Sequence, residues 1–432
     1  MDSDDGIASP TVQAAHSGDL PRAFQLRNLG YAGGDAAFYG LGLNMMAPTL
    51  PFLFKQAGID ASWLGFIFLA TFMAAFGGPI GTVWAERFTQ GKMPFILLLG
   101  ALHRLPYLLL PLSVLILFDK PHLLVTVVIV AWMSASFIAG IVAPVFNVVL
   151  TGSFSERWWG RMMGLRYFLV SISGLCAAGC MWCVNHLVSS PKNYILMGTA
   201  GVFFLFVSLA SFSRFREVRH HGVSEGAEAG MGAALRRMRT ILIDDLRIRW
   251  MVLAYAMRAF GFLMGVYWVA FFIERCQLTQ TQMWIPLLMT AAPEPFAHMI
   301  SGWSVDRFGV KRILLFSSFL VFVNSILLIN CHSLIAFVFL FPSGVLGGSL
   351  WNMAWPMLML KLAPRSSRSD YFATLSLATA PFGIGATLAG FWVLRHFGYV
   401  AVFCLSSLGG LLAMLLYFFT LPDIREAPRD RG

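Results

Sequence analysis

The sequence predicts an all-α integral membrane protein in which twelve transmembrane helices form two pseudo-symmetric six-helix bundles. Three observations carry that expectation: the composition, the recurrence of long apolar stretches, and one long basic interruption near the middle. Of 432 residues, 58% are hydrophobic and 12% charged, against roughly 45–50% and about 25% in soluble domains. With half the usual charge, too little polar surface remains to cover a globule, which excludes a soluble multidomain protein.

A membrane helix needs about 20 predominantly apolar residues. Twelve stretches qualify, at 28–54, 62–84, 94–118, 122–150, 164–188, 193–213, 250–273, 283–303, 312–330, 334–360, 371–394 and 399–420. Residues 1–27 open with Asp2, Asp4 and Asp5 and lack a basic n-region. They read as a disordered cytoplasmic tail rather than a cleaved signal peptide. Lysine and arginine favour cytoplasmic loops. Placing both termini and the even-numbered loops on one side gathers 24 of the 31 Lys and Arg there, against 5 on the other. Both termini, the segment 214–249 and the tail 421–432 are therefore expected in the cytoplasm, the membrane being a bacterial inner membrane or one derived from it. The net charge of +10 orients the bundle, and no nucleic-acid partner is implied. The two remaining cations, Arg104 and Arg258, fall inside spans.

Segment 214–249 separates two comparable halves, 28–213 and 250–420. Three short matches recur in the same order: residues 30–38 over 254–262, 86–88 over 306–308, and Tyr167-Phe168 over Tyr371-Phe372. Internal repeats of this kind typify transporter folds. Within the linker, residues 231–250 place Leu235, Met238, Ile241 or Leu242, and Leu246 on one side of a helix with arginines elsewhere. This is the pattern of a surface amphipathic helix, lying on the bundle or on anionic headgroups. A docking site for a calmodulin-like partner is the sharper alternative.

Residues 302–312 read GWSVDRFGVKR. This resembles the loop signature of the major facilitator superfamily, G-x-x-x-D-R-x-G-x-K-R, and stands in the matching place between spans eight and nine. Residues 85–92, AERFTQGK, are a degraded copy without the aspartate, and residues 156–161, ERWWGR, are similar to the acid and Arg-Gly-Arg signatures between spans four and five. The resemblance covers roughly residues 28–420. It implies two bundles rocking about a central cavity, with Gly302, Asp306, Arg307, Gly309 and Arg312 as latch residues, joined by Glu86, Arg87, Glu156 and Arg161. A turn with fixed charges that clasps a helix end in one state and frees it in the other supplies a bistable element. Span four has no arginine and span five no glycine-proline pattern, which sets the chain apart from proton-coupled drug exporters. The first span and the Trp-Trp-Gly-Arg loop are also similar to a bacterial subgroup that includes magnetosome-membrane facilitator proteins implicated in iron handling.

Ionisable groups deep in hydrocarbon cost about 2.5–3.5 kcal/mol each, so Asp35, His103, Arg104, Arg258, Glu294 and His298 are the candidate functional residues. Glu294 lies about 16 Å into span eight, bracketed by Pro293 and Pro295, with His298 one turn on. A buried carboxylate can hold a proton and a neighbouring histidine can relay it, and the same pair suits a divalent transition metal. A buried structural hydrogen bond is the alternative. Asp35 and Arg258 sit at similar depth, about 10 and 12 Å from the cytoplasmic ends of equivalent spans, and are expected to pair across the cavity or to bind a charged solute. Tyr39 lies one turn beyond Asp35, whereas Asn44 is half a turn out of phase. Arg104 together with His103 and Arg258 points to an anionic solute; a buried carboxylate or free carbonyls on a neighbouring helix as the partner of Arg104 is the alternative. Cys176, Cys180, Cys183 and His186 share one face of span five; packing between helices is the main reading, a soft-metal site the other. No disulfide framework, phosphate-binding loop or nucleophile motif is present. The chain is expected to be a secondary transporter of a small molecule or ion, without cofactor and not an enzyme, with proton coupling through Glu294 and His298. An iron transporter of the magnetosome type, and a non-transporting sensor or assembly scaffold, are the other readings.

Overall fold

The structure, a computed structural model, describes residues 20–85, 88, 91–218, 230–279, 282, 284–331, 333–363 and 368–421, without the side chains of 156–161, 287, 306, 334, 335, 360, 361, 368 and 369. These residues form helices and short connections and no strand. Helices α1 (Arg22–Met46) and α2 (Leu50–Gln56) make the first span, α3 (Leu64–Ala85) the second, and α4 (Met93–Arg104) with α5 (Leu109–Leu117) the third. Spans four to six are α6 (Pro121–Gly152), α7 (Glu156–Leu187) and α8 (Lys192–Phe212). The linker helix α9 (Met231–Asp244) leads to α10 (Leu246–Arg275), span seven. Span eight is α11 (Trp284–Ala291) with α12 (Glu294–Phe308), span nine α13 (Val310–Ile329) and span ten α14 (Leu334–Leu362). Spans eleven and twelve form one helical element, α15 (Arg368–Thr420), folded back at Gly398 with φ 77°, a conformation glycine adopts without steric cost.

The apolar stretches of spans one, three and eight are each interrupted, the eighth where Pro293 and Pro295 bracket Glu294. Every break coincides with proline: Pro48 and Pro51 in the first, Pro106 in the third, Pro293 and Pro295 in the eighth. Proline lacks the amide hydrogen and its ring clashes with the preceding turn. A hydropathy window registers apolar length and is blind to that missing donor.

Span one packs against five and six, two against four, seven against twelve, and eight against ten. The halves meet where span two touches eleven and span five touches eight. Lipid tails are as apolar as leucine, so helices associate through close packing at small residues. A Cβ on Gly140 would collide with the Ala74 carbonyl, and one on Gly42 would stand 2.7 Å from the Gly201 carbonyl.

At the end remote from the linker, one apolar core crosses both halves, joining Met45, Leu53 and Val128 to Phe271, Phe337 and Phe403. At the linker end each half has its own core, around Phe95 and Phe212 in one and Leu314 and Trp355 in the other, with Phe72 reaching across. The molecule is thus sealed at the far end and divided at the linker end.

Helix α9 buries Ala233, Ala234 and Met238, while Leu235 and Leu246 are exposed. The expected apolar stripe is therefore rotated, because the small alanines let the helix sit close against its neighbours. Arg237 Nε binds Asp370 Oδ2 at 3.1 Å, fastening α9 to the start of span eleven. Asp245 ends α9 and caps α10 through the Arg247 amide at 2.9 Å. Its carboxylate also takes the Arg247 guanidinium at 3.0 Å and the Tyr371 hydroxyl at 3.4 Å. Burial pushes the Asp245 carboxyl up, but the Arg247 side-chain and backbone hydrogen bonds outweigh it and hold it below the usual carboxylate range.

Gly140→Ala should destabilise the detergent-solubilised protein by about 1–3 kcal/mol through overpacking. Gly179→Ala, at a site with no neighbour within 4 Å, should leave the thermal midpoint unchanged. Asp245→Ala should cost about 1 kcal/mol at neutral pH through the lost cap. A depressed folded value means that this contribution is fully present above the unfolded carboxylate value, about 3.9, and fades as pH falls through the lower folded one. The gap in thermal midpoint between variant and wild type should therefore close in strong acid.

Candidate functional site

Two cavities lie along the boundary between the halves. One, of about 250 Å³ on the linker side, is lined by Phe72 and Asn147 from the first half and by Tyr255, Trp351, Ser376 and Thr379 from the second. The other, of about 290 Å³ towards the far end, is lined by Phe68, Trp132, Val266 and Thr290 among others. Thr71 borders both. Between them Phe68 packs edge-on against Phe72 at 5.4 Å and against Phe262 at 6.2 Å. These three rings form an aromatic partition made by both halves.

The broken eighth span places Glu294 in the first turn of α12. Phe296, Met299 and Trp303 are exposed, and Ala297, His298 and Ser301 are buried, so the face carrying Glu294 and His298 turns inward at 100° per residue. His298 Nε2 lies 3.6 Å from Glu294 Oε1. The imidazole stacks on Tyr167 of span five at 5.0 Å, and its Nδ1 is buried without a hydrogen bond. The sequence brings this pair together as expected; that it stands on the seam between the halves follows only from the packing of span five on span eight.

Asp35 does not meet Arg258. Its Oδ2 takes Arg166 at 3.2 Å, its Oδ1 takes the Ser208 hydroxyl at 2.7 Å, and Arg104 stands 3.9 Å away. Depth along equivalent spans set the expected pair, but the azimuth of Asp35 turns it into its own half, towards spans three, five and six. Arg104 satisfies its remaining donors on the carbonyls of Leu205 and Gly100 and on Ser208. With Tyr39, His103 and Arg166 these groups line a cavity of about 190 Å³ inside the first half. His103 stacks on Tyr39 and meets Tyr107 edge to face. Asn44 turns away and donates to the Val170 carbonyl. Arg166 was expected to anchor a cytoplasmic loop; instead it reaches inward, donating also to the Ala32 carbonyl. Its position within the expected fifth span, two residues from the start, was the available signal, and Ser208 gave none.

Arg258 is 2% exposed. Its Nε and Nη1 are buried without partners, and among the described residues it makes no hydrogen bond or ion pair. Its guanidinium lies over Phe262 at 4.5 Å and Trp351 at 5.8 Å. A desolvated cation–π contact returns about 2 kcal/mol, whereas burying an ion costs several. The aromatic box leaves the charge undercompensated.

Glu86 and Arg87 lie outside the described residues, as do the side chains of Glu156, Arg161 and Asp306. Gly309 takes φ 83° in the one-residue turn between α12 and α13, which accounts for glycine in the signature. Gly302 faces Met353 of span ten, and Arg307 lies over Trp303 at 5.0 Å. Lys311, rather than Arg312, donates to the Leu421 carbonyl at the end of span twelve. Cys176, Cys180 and Cys183 are exposed free thiols on the outer face of span five with His186. They do not pack between helices, and among the described residues no group of three or more His, Cys, Asp or Glu could hold a metal.

Residues 36–384 match the family model of the Major Facilitator Superfamily. An uncharacterized transporter of Buchnera aphidicola subsp. Schizaphis graminum (strain Sg) is 23% identical over 121 residues, 27% of this chain; the match spans 30% of that relative's length. Among solved structures, a D-xylose-proton symporter is similar with a TM-score of 0.70 at 14% identity, covering 93% of this chain and 99% of that one. The nucleoside transporter NupG gives 0.66 at 10%, covering 92% and 100%. The partially occluded inward-open xylose transporter XylE from E. coli gives 0.66 at 11%, covering 94% and 99%. At these identities the likeness is one of fold. With the family match running over most of its length, the chain belongs to the Major Facilitator Superfamily and is a multi-pass membrane transporter of small molecules, not an enzyme.

Proposed function

We propose that the protein is a secondary active transporter that moves a small solute by alternating access and is driven by protons through Glu294 and His298. The pair of cavities on the seam, parted by Phe68, Phe72 and Phe262 and sealed by a continuous core at one end only, carries this reading. Exchange of access requires that the far-end core split while the linker ends close. By the excess of Lys and Arg the linker end is cytoplasmic, so the conformation described opens inward. The latch formed by Gly302, Asp306, Arg307, Gly309 and Arg312, with Glu86, Arg87, Glu156 and Arg161 in the first half, acts at that end.

Proton coupling rests on where Glu294 and His298 stand. A proton added to His298 places a cation against the Tyr167 ring of the opposite half and strengthens the pull of Glu294. A charge change at the seam biases one arrangement of the halves over the other, which is what coupling requires. Transport of divalent iron through the same pair is less favoured, because Glu294 and His298 supply two ligands and no described His, Cys, Asp or Glu completes the set. A sensor or scaffold has no use for either cavity. The Asp35, Arg104 and Arg166 cluster ties four spans of the first half into one rocking unit, with Tyr39 and His103 closing its cavity.

Wild-type proteoliposomes should accumulate at least one solute from a panel of organic anions, sugars, Fe²⁺ and Mn²⁺. For that solute, Glu294→Gln should lower uptake about 5- to 150-fold, the usual range of a coupling free energy. It should also flatten the dependence of uptake on pH. Unchanged pH dependence removes the coupling role. Asp35→Asn, which takes the carboxylate away from the buried Arg104 and half-buried Arg166 guanidiniums, should destabilise the protein by about 1–3 kcal/mol. Adding Arg166→Gln should recover about 0.5–3 kcal/mol of that loss, read as thermal midpoints of the single and double variants.

A further inference from the structure

Three polar groups without a well-formed hydrogen bond gather behind the linker-side cavity, and all can donate. Arg258 offers Nε and Nη1, and Trp351 its Nε1. The Tyr417 hydroxyl stands near Arg258 and beside the Trp351 indole N–H, for which its oxygen is a loose acceptor, so the donors left wholly without a partner are those of Arg258. Buried polar groups are normally paired, and the two unpaired donors of a buried guanidinium call for an acceptor; an anionic one would also balance the charge. No described acidic side chain supplies it. Asp35, the carboxylate at similar depth in the first half, is already held by Arg166 and Ser208.

The cavity stands one layer of side chains away. Tyr255 and Trp351 line it and also bound Arg258: Tyr255 is one turn earlier on α10, and the Trp351 ring lies under the guanidinium. Trp351 stacks on Trp355 at 5.4 Å, and Tyr255 packs on Trp355 at the same distance. The walls offer aromatic faces, with Asn147, Ser376 and Thr379 as neutral polar groups and no charged side chain.

We propose that the linker-side cavity binds a small aromatic or apolar monocarboxylate, its ring against Trp351, Trp355 and Tyr255, and its carboxylate on Arg258 once the Trp351 indole moves aside. One unpaired guanidinium matches one negative charge, and its planar fork suits a carboxylate. The same movement takes the guanidinium off Phe262, which touches Phe68 of the partition. Binding is thereby linked to the element that separates the two cavities. This assignment names the substrate class of the transporter proposed above and rests on that reading.

The test uses the purified full chain, with benzoate as probe and benzamide as its uncharged analogue, in thermal-shift and calorimetric titrations. Benzoate should raise the thermal midpoint of the wild type in proportion to its concentration, and benzamide should not. Arg258→Met should weaken benzoate binding at least tenfold. Its ligand-free midpoint should equal or exceed that of the wild type, because an undercompensated buried charge has been removed; a merely structural arginine would give a lower one. Trp351→Phe should keep binding within a few fold. Absence of a benzoate effect on the wild type, an equal effect of benzamide, retention of benzoate binding by Arg258→Met, or a fall in its ligand-free midpoint would each overturn the proposal. The carboxylate site is read in equilibrium binding of benzoate to the wild type and Arg258→Met, and proton coupling in the pH dependence of uptake by Glu294→Gln, so the failure of each is read separately.

Discussion

The grip of one carboxylate on two guanidiniums inside the first half is the contact on which much of the architecture depends. In a bilayer no water reaches the core to solvate charge, so Asp35 exists in span one only because Arg166, Arg104 and Ser208 converge on it from spans five, three and six. Those side chains come from distant points of the chain, and meeting at one point fixes how four helices rotate about their axes. The Ala32, Gly100 and Leu205 carbonyls take up the donors left over. A cluster satisfied this completely behaves as a rigid body.

The second half has no counterpart. Its charge at the equivalent depth is Arg258, boxed by aromatic rings and short of an acceptor. The two halves share a fold and divide the work: one is stiffened by internal ion pairing, the other holds a charge that a ligand can complete. The seam between them carries the remaining chemistry, the Glu294 and His298 pair under Tyr167 and the partition of Phe68, Phe72 and Phe262.

Burial differs at the two ends. The far end closes with a continuous apolar core, crossed at its rim by Lys55 Nζ donating to the Leu278 carbonyl at 3.3 Å. The linker end keeps polar fastenings, Arg237 on Asp370, Asp245 on Arg247 and Tyr371, and Lys311 on the carbonyl of Leu421. These contacts lie within the second half and its linker helix, so they fasten that half rather than join it to the first.

The sequence by itself determined the membrane class, the twelve spans, the two halves and the residues too costly to bury without purpose. Each of these is written in apolar length, in the placing of lysine and arginine, or in the expense of charge in hydrocarbon, all local properties of the chain. It also placed His298 beside Glu294, because helical pitch alone sets that neighbour. Partnerships between helices were not legible. Depth along a span can be counted from its end, which made Asp35 and Arg258 look like a pair, but azimuth depends on how every neighbouring helix packs. Rotation of span one by close contacts such as Gly42 on Gly201 turned Asp35 towards Arg166, a residue the charge count had assigned to a loop. Only the tertiary structure decided which charges are satisfied and which one waits for a partner.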